Sequence, residues 1–121
     1  MEDFILREID RIGEMLALIA RRLGLLDGDT PDYSIEDVKQ EFNKVDLPFS
    51  VDTVLGKENP VLYLVNKVNI SNQGLETLMD ILFHSDIDEA HKTSLLSDAL
   101  TYLDSRGYYS FRLHSLESPL L

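Results

Sequence analysis

Two histidine–carboxylate pairs come nearest to a metal site in this chain. Asp80 and His84 are four residues apart, and Asp88 and His91 are three apart. Both spacings place the members of a pair on one face of a helix. A zinc site needs three or four such ligands that converge, so the two pairs would have to meet across a turn. A histidine at a helix end or on a solvated face is the simpler interpretation, and the sequence predicts no metal and no cofactor.

A serine nucleophile is weakly indicated by Ser110 and His114, which are four residues apart. The chain has no Gly-x-Ser-x-Gly elbow, and no carboxylate is indicated that would orient the histidine. Serines at helix starts are better explained as caps. The sequence therefore predicts that the protein is not an enzyme and has no catalytic residues.

An aromatic group lies near the C-terminal end, formed by Tyr102, Tyr108, Tyr109 and Phe111. It could stack on a ring-shaped ligand. Packing between the last two helices, with one tyrosine on the surface, is the favoured interpretation.

Charge and composition exclude several classes of function. The 121 residues include 22 Asp and Glu against 11 Lys and Arg, a formal net charge of −11. This field repels phosphate backbones and anionic lipids, so nucleic-acid binding is not expected. The chain has no cysteine and no secretory leader pattern, which favours the cytoplasm. The longest apolar run is far below the roughly 20 residues that span a bilayer, so no membrane span is expected.

The first helix carries the clearest pattern. Six apolar residues alternate at spacings of four and three, which is an a/d heptad stripe. A stripe of this kind covers either its own core or a partner helix, and it identifies the candidate interaction residues of this chain: Ile5, Ile9, Ile12, Leu16, Ile19 and Leu23. Gly24 is a natural helix end.

The rest of the chain predicts further short helices. Start signals are Ser34, Asn59-Pro60, Ser71, and Asp86 or Asp88, each followed by helically spaced apolar residues. A strand is the competing prediction for residues 61–68, which are rich in β-branched side chains. The expected fold is all-α, with five to six helices in antiparallel hairpins, either tetratricopeptide-like or an irregular bundle. We expect an N-terminal helix over residues 1–26, a loop over 27–33 and a helical domain over 34–121, forming one structural unit.

Two segments resemble known families. Residues 3–12, which begin Asp3-Phe4-Ile5-Leu6-Arg7, together with residues 15–19, resemble the start of a small bacterial family of uncharacterised all-α proteins. Residues 99–109, with Gly107 and two tyrosines after it, look like the turn of a tetratricopeptide-like hairpin, although no second copy is found. The resemblance implies a helical fold and leaves the activity open.

The expected function is a non-catalytic protein-interaction module that binds a protein partner or a second copy of itself. It would use the first helix or a groove between the later hairpins. The alternative is an acidic inhibitor or immunity-type protein that binds a basic partner through carboxylates such as Asp86, Asp88 and Glu89. A metal protein using His84 and His91 is the third hypothesis.

Overall fold

A computed structural model describes residues 2–25 and 32–117, with side chains from residue 11 onward. Within these ranges the chain is all-helical, and no strand is present. The helices are α1 (Glu2–Arg22), α2 (Ile35–Asn43), α3 (Val51–Gly56), α4 (Pro60–Tyr63), α5 (Asn72–Phe83), α6 (Glu89–Ser105) and α7 (Phe111–Glu117). The all-α prediction is confirmed. The expected five to six helices become seven in the described part because α3 and α7, each under two turns, are separate helices.

Glycine ends two of the long helices as the sequence predicts. Gly24 after α1 and Gly107 after α6 have φ values of 83° and 74°, in the left-handed region. After α1, the Gly24 and Leu25 N–H groups donate to the carbonyls of Arg21 and Ala20 at 3.1 and 3.0 Å. The same pair of bonds follows α6, so both ends are Schellman motifs.

Side-chain caps begin the helices at the predicted positions. Ser34 and Asp37 form a reciprocal capping box on α2. Asn59 caps α4, with Pro60 in its first turn, and Ser71 caps α5. For α6 the sequence left two candidates open, and Asp88 is the cap. The loop expected over residues 27–33 lies outside the described residues, apart from its last two positions.

A π-helical turn continues α4 over Leu64–Val68. The competing strand prediction for this stretch is wrong, because the backbone remains helical from Pro60 to Val68. The turn ends at Asn69, whose φ of 61° is left-handed. The Ile70 N–H then donates to the Leu64 carbonyl at 3.0 Å, which closes the wider turn.

The core draws on every helix whose side chains are described. Leu16 and Ile19 of α1 and Leu75 and Ile81 of α5 are fully enclosed, and α1 and α5 pack closely on each other. Leu113 anchors α7 in the same cluster. Leu95, Leu96, Ala99, Leu100 and Leu103 form the buried face of α6, so Asp98, Thr101 and Ser105 lie on its outer side.

Candidate protein-interaction surface

The predicted interaction stripe lies partly inside this chain's own core. Leu16 and Ile19 have no exposed surface, while Ile12 and Leu23 are partly buried against the core. Leu16 and Ile19 could reach a second chain only if the core opened. The side chains of Ile5 and Ile9 lie outside the described residues, and association through this helix stays a prediction.

Asp80, a member of the first histidine–carboxylate pair, lies in a buried polar cluster at the end of α5. Its carboxylate is 3% exposed and forms an ion pair with Arg112 of α7. Asp80 Oδ1 lies 3.1 Å from His84 Nδ1. No hydrogen bond reaches Oδ1 in good geometry, since the imidazole N–H is directed to the Asp80 carbonyl at 2.9 Å.

This cluster shifts two pKa values. The contact with the Asp80 carboxylate raises the pKa of His84 above its ordinary value, while partial burial opposes the shift. Burial raises the pKa of Tyr33, and the charge of Asp80 acts in the same direction. The Tyr33 hydroxyl remains protonated and donates to the Ile81 carbonyl at 2.6 Å. The cluster thus ties the segment before α2 and helix α7 to the end of α5.

The second histidine–carboxylate pair is local to α6. His91 Nδ1 lies 3.6 Å from a carboxylate oxygen of Asp88, which is itself the cap of the helix. Among residues 11–25 and 32–117, no group of three or more His, Asp or Glu side chains lies close enough to hold a metal ion. The two pairs do not converge into one site.

The serine pair is likewise not assembled for nucleophilic attack. The buried Ser110 hydroxyl donates to Glu76, and its oxygen accepts from the Leu113 N–H at 3.1 Å. The His114 ring stacks on Tyr109, with ring centroids 4.6 Å apart. Ser110 therefore acts as the cap of α7 and joins it to α5.

The acidic residues at the α5–α6 turn also stabilise the fold through hydrogen bonds. Asp86 Oδ1 accepts a 2.7 Å hydrogen bond from the Ile35 N–H, which joins this turn to the start of α2. Asp88 accepts from the His91 N–H at 3.3 Å. Neutralising either residue would weaken the fold, so these positions cannot report cleanly on a basic partner.

An exposed leucine lies where α4 approaches α6. Leu62 is 49% exposed, and two surface hollows meet at it. One hollow lies beside the π-helical turn and is lined by Lys57, Tyr63 and Lys67. The other reaches α6 and is lined by Asp98 and Tyr102. We refer to Leu62 and these two hollows as the Leu62 surface.

The two hollows carry opposite charges. Three of the five lysines in the chain, Lys39, Lys44 and Lys92, lie near carboxylates in ion pairs. The other two, Lys57 and Lys67, line the same hollow, and Lys57 lies 4.7 Å from the centre of the Tyr63 ring. Lys67 and Asp98 form no ion pair within the described residues. Positive and negative charge thus remain available on either side of one exposed apolar side chain.

The sequence contained a signal for Leu62 that the prediction did not use. Val61, Leu64, Val65 and Val68 follow helical spacing and are buried or half-buried. Leu62 lies off that face. A leucine beside an already complete apolar face is a candidate for an exposed contact.

Two aromatic side chains near the start of α7 are also exposed. Tyr109 and Phe111 are 67% and 77% exposed, while Tyr102 and Tyr108 are half-buried. The prediction placed one tyrosine of this group on the surface. Phe111 joins it because Leu113, two positions later, fills the core side of α7.

No described helix is both long enough and apolar enough to cross a membrane. Comparison with protein-family models, with curated proteins and with solved structures finds no match.

Proposed function

We propose that this chain is a non-catalytic protein-interaction module that binds another protein chain through the Leu62 surface. The observation that carries the proposal is the half-exposed Leu62 between a basic and an acidic hollow, whose Lys67 and Asp98 form no ion pair with any described side chain. Burying an apolar side chain drives association, and charges around it select the partner. The proposal takes up the expectation of a binding groove between the later hairpins.

One resemblance in the sequence supports a binding role, and two further features bear on where the protein acts. Residues 99–109 resemble a tetratricopeptide hairpin, and repeats of that type present binding surfaces. The absence of cysteine and the family resemblance of the first helix support a bacterial, cytoplasmic setting.

Site-specific photo-crosslinking tests the proposal. A photoreactive amino acid replaces Leu62 in one version of the chain and Leu18 in another, since Leu18 is also exposed, at 36%, but lies on α1. The expected result is a discrete crosslinked protein from position 62 that disappears when Asp98→Lys is added. Equal adducts from positions 62 and 18, or none, would overturn the proposal.

Association through the first helix remains a second form of this function. It is supported by the continuation of the heptad stripe to Ile5 and Ile9. Replacing these two residues with Asn should abolish such a contact and leave the crosslink from position 62 intact. Light scattering after size exclusion measures the change in assembly.

A further inference from the structure

We propose that the partner at the Leu62 surface is a second copy of this chain, bound across a two-fold axis that passes close to Leu62. This inference rests on the proposed function, because it names the occupant of the same surface. A two-fold contact uses one patch twice, so that patch must complement itself. The Leu62 surface carries both members of a possible charge pair beside one exposed apolar side chain.

Charge complementarity arises from the order of groups across the surface. Lys67 lines one of the two hollows that share Leu62, and Asp98 lines the other, so we place them on the two sides of this leucine. A two-fold rotation about Leu62 exchanges the sides, so Lys67 of one copy faces Asp98 of the other, and the reverse pair forms as well. Both groups are exposed and have no ion pair within the described ranges, so no existing ion pair is lost.

The exposed leucine beside the hollows supplies the apolar part of the contact. Each Leu62 packs against its counterpart or enters the neighbouring hollow of the second copy, and either arrangement removes apolar surface from water. Thr101 and Ser105, on the outer side of α6, add small polar side chains at the rim.

Because the chain is strongly acidic, the positions of its lysines affect where two copies can approach each other. Two copies that each carry a net charge of −11 repel each other at long range. Lys57 and Lys67 place two positive charges at the point of contact, while Lys39, Lys44 and Lys92 lie near carboxylates of their own chain. These two lysines therefore reduce the repulsion between copies at the Leu62 surface.

Charge exchange provides a sharp test, with sedimentation equilibrium of the full chain as the measurement. We expect a reversible dimer for the unmodified chain. Lys67→Glu alone and Asp98→Lys alone should each weaken the dimer at least about tenfold, because like charges then face each other twice. The double variant should recover the dimer, and mixing the two single variants should produce a one-to-one heterodimer.

Matched controls carry the same changes in charge elsewhere. Arg21→Glu and Glu14→Lys alter the net charge equally at exposed positions of α1, and neither should weaken the dimer at the Leu62 surface. Circular dichroism verifies that each variant is folded.

Three results would overturn the inference: a monomeric unmodified chain, control variants as damaging as those at Lys67 and Asp98, or charge exchange that fails to restore the dimer. A monomer whose position 62 still crosslinks to a different protein would leave the proposed function intact and remove only the second copy as its partner.

Discussion

At the scale of single residues, the end of α5 depends on side chains that satisfy its last carbonyls. Tyr33 donates to Ile81, Ser85 donates to Leu82, and the His84 ring contacts the Asp80 carbonyl. The last carbonyls of a helix have no partner within the helix itself. The Asp80 and Leu82 carbonyls also accept from the backbone N–H groups of His84 and Ser85, so the Ile81 carbonyl depends most on its side-chain donor.

Tyr33→Phe should therefore destabilise the fold by about 1–3 kcal/mol, because the buried Ile81 carbonyl loses its donor. Urea denaturation measures the free energy of unfolding. Tyr109→Phe is the matched control, since that ring is 67% exposed, and its effect should stay within about 0.5 kcal/mol. Equal effects of the two substitutions would contradict the role given to Tyr33.

His84 should make stability depend on pH in a defined direction. Its pKa is raised in the folded protein by the Asp80 carboxylate, so its contribution is fully present below the ordinary value of 6.5. The contribution is lost as pH rises through the folded pKa. The groups that face the ring and set this balance are Asp80 and Arg112.

We expect NMR titration to give His84 a pKa above 6.5, and His84→Gln to reduce the loss of stability between mildly acidic and mildly alkaline pH. A His84 resonance that titrates at or below the ordinary value would show that burial outweighs the carboxylate.

At the scale of helices, the left-handed backbone conformation of the residue after α6 directs the chain towards α7. Gly107 has a φ of 74°, and a Cβ atom there would meet nothing within 4 Å. Any loss of stability on adding a side chain at Gly107 therefore comes from backbone strain and not from a steric clash. Gly56 at the end of α3 also has open space around a Cβ but has no left-handed φ.

Gly107→Ala should destabilise the protein by about 1–2 kcal/mol, since an L residue is strained in this region. Gly56→Ala should range from no change to a gain of about 1 kcal/mol, because alanine favours helix. Thermal or urea unfolding of the two variants measures the contrast. A stabilised Gly107→Ala variant would show that the Schellman motif after α6 does not persist in solution.

At the scale of the whole molecule, the described part of α1 is a structural member of the bundle. Leu16 and Ile19 lie in the same buried cluster as side chains of α5, α6 and α7. Removing the first helix would expose the face of α5 on which it packs. A deletion of residues 1–25 would therefore confuse loss of folding with loss of association.

Leu16→Ala should cost about 2–5 kcal/mol through lost burial and the cavity left behind. Leu18→Ala, at a position 36% exposed on the same helix, should cost about 1 kcal/mol or less. Equilibrium unfolding by urea gives both values. Comparable small losses at the two positions would mean that α1 is not docked on the core in solution.

The sequence alone determined the helical class and most helix boundaries. Caps such as Ser34, Asn59 and Ser71 accept hydrogen bonds from N–H groups three residues away, and the two terminating glycines act through local dihedral angles. These interactions are short in range, so the residue order specifies them. The apolar spacing of α1 likewise predicted a face, although it did not determine what covers that face.

Tertiary structure decided which of the spaced residues meet and which stay exposed. Asp80 forms an ion pair with Arg112 and does not form a metal site with Asp88 and His91. Ser110 donates a hydrogen bond to Glu76 and not to His114. Asp86 accepts a hydrogen bond from the start of α2 and does not cap α6. Each of these pairs is separated by more than 30 residues, and the packing of α5 against its neighbours brings it together. Leu62 is exposed for the same reason: burial depends on which neighbouring helix arrives, and α6 reaches α4 only at one side of this leucine.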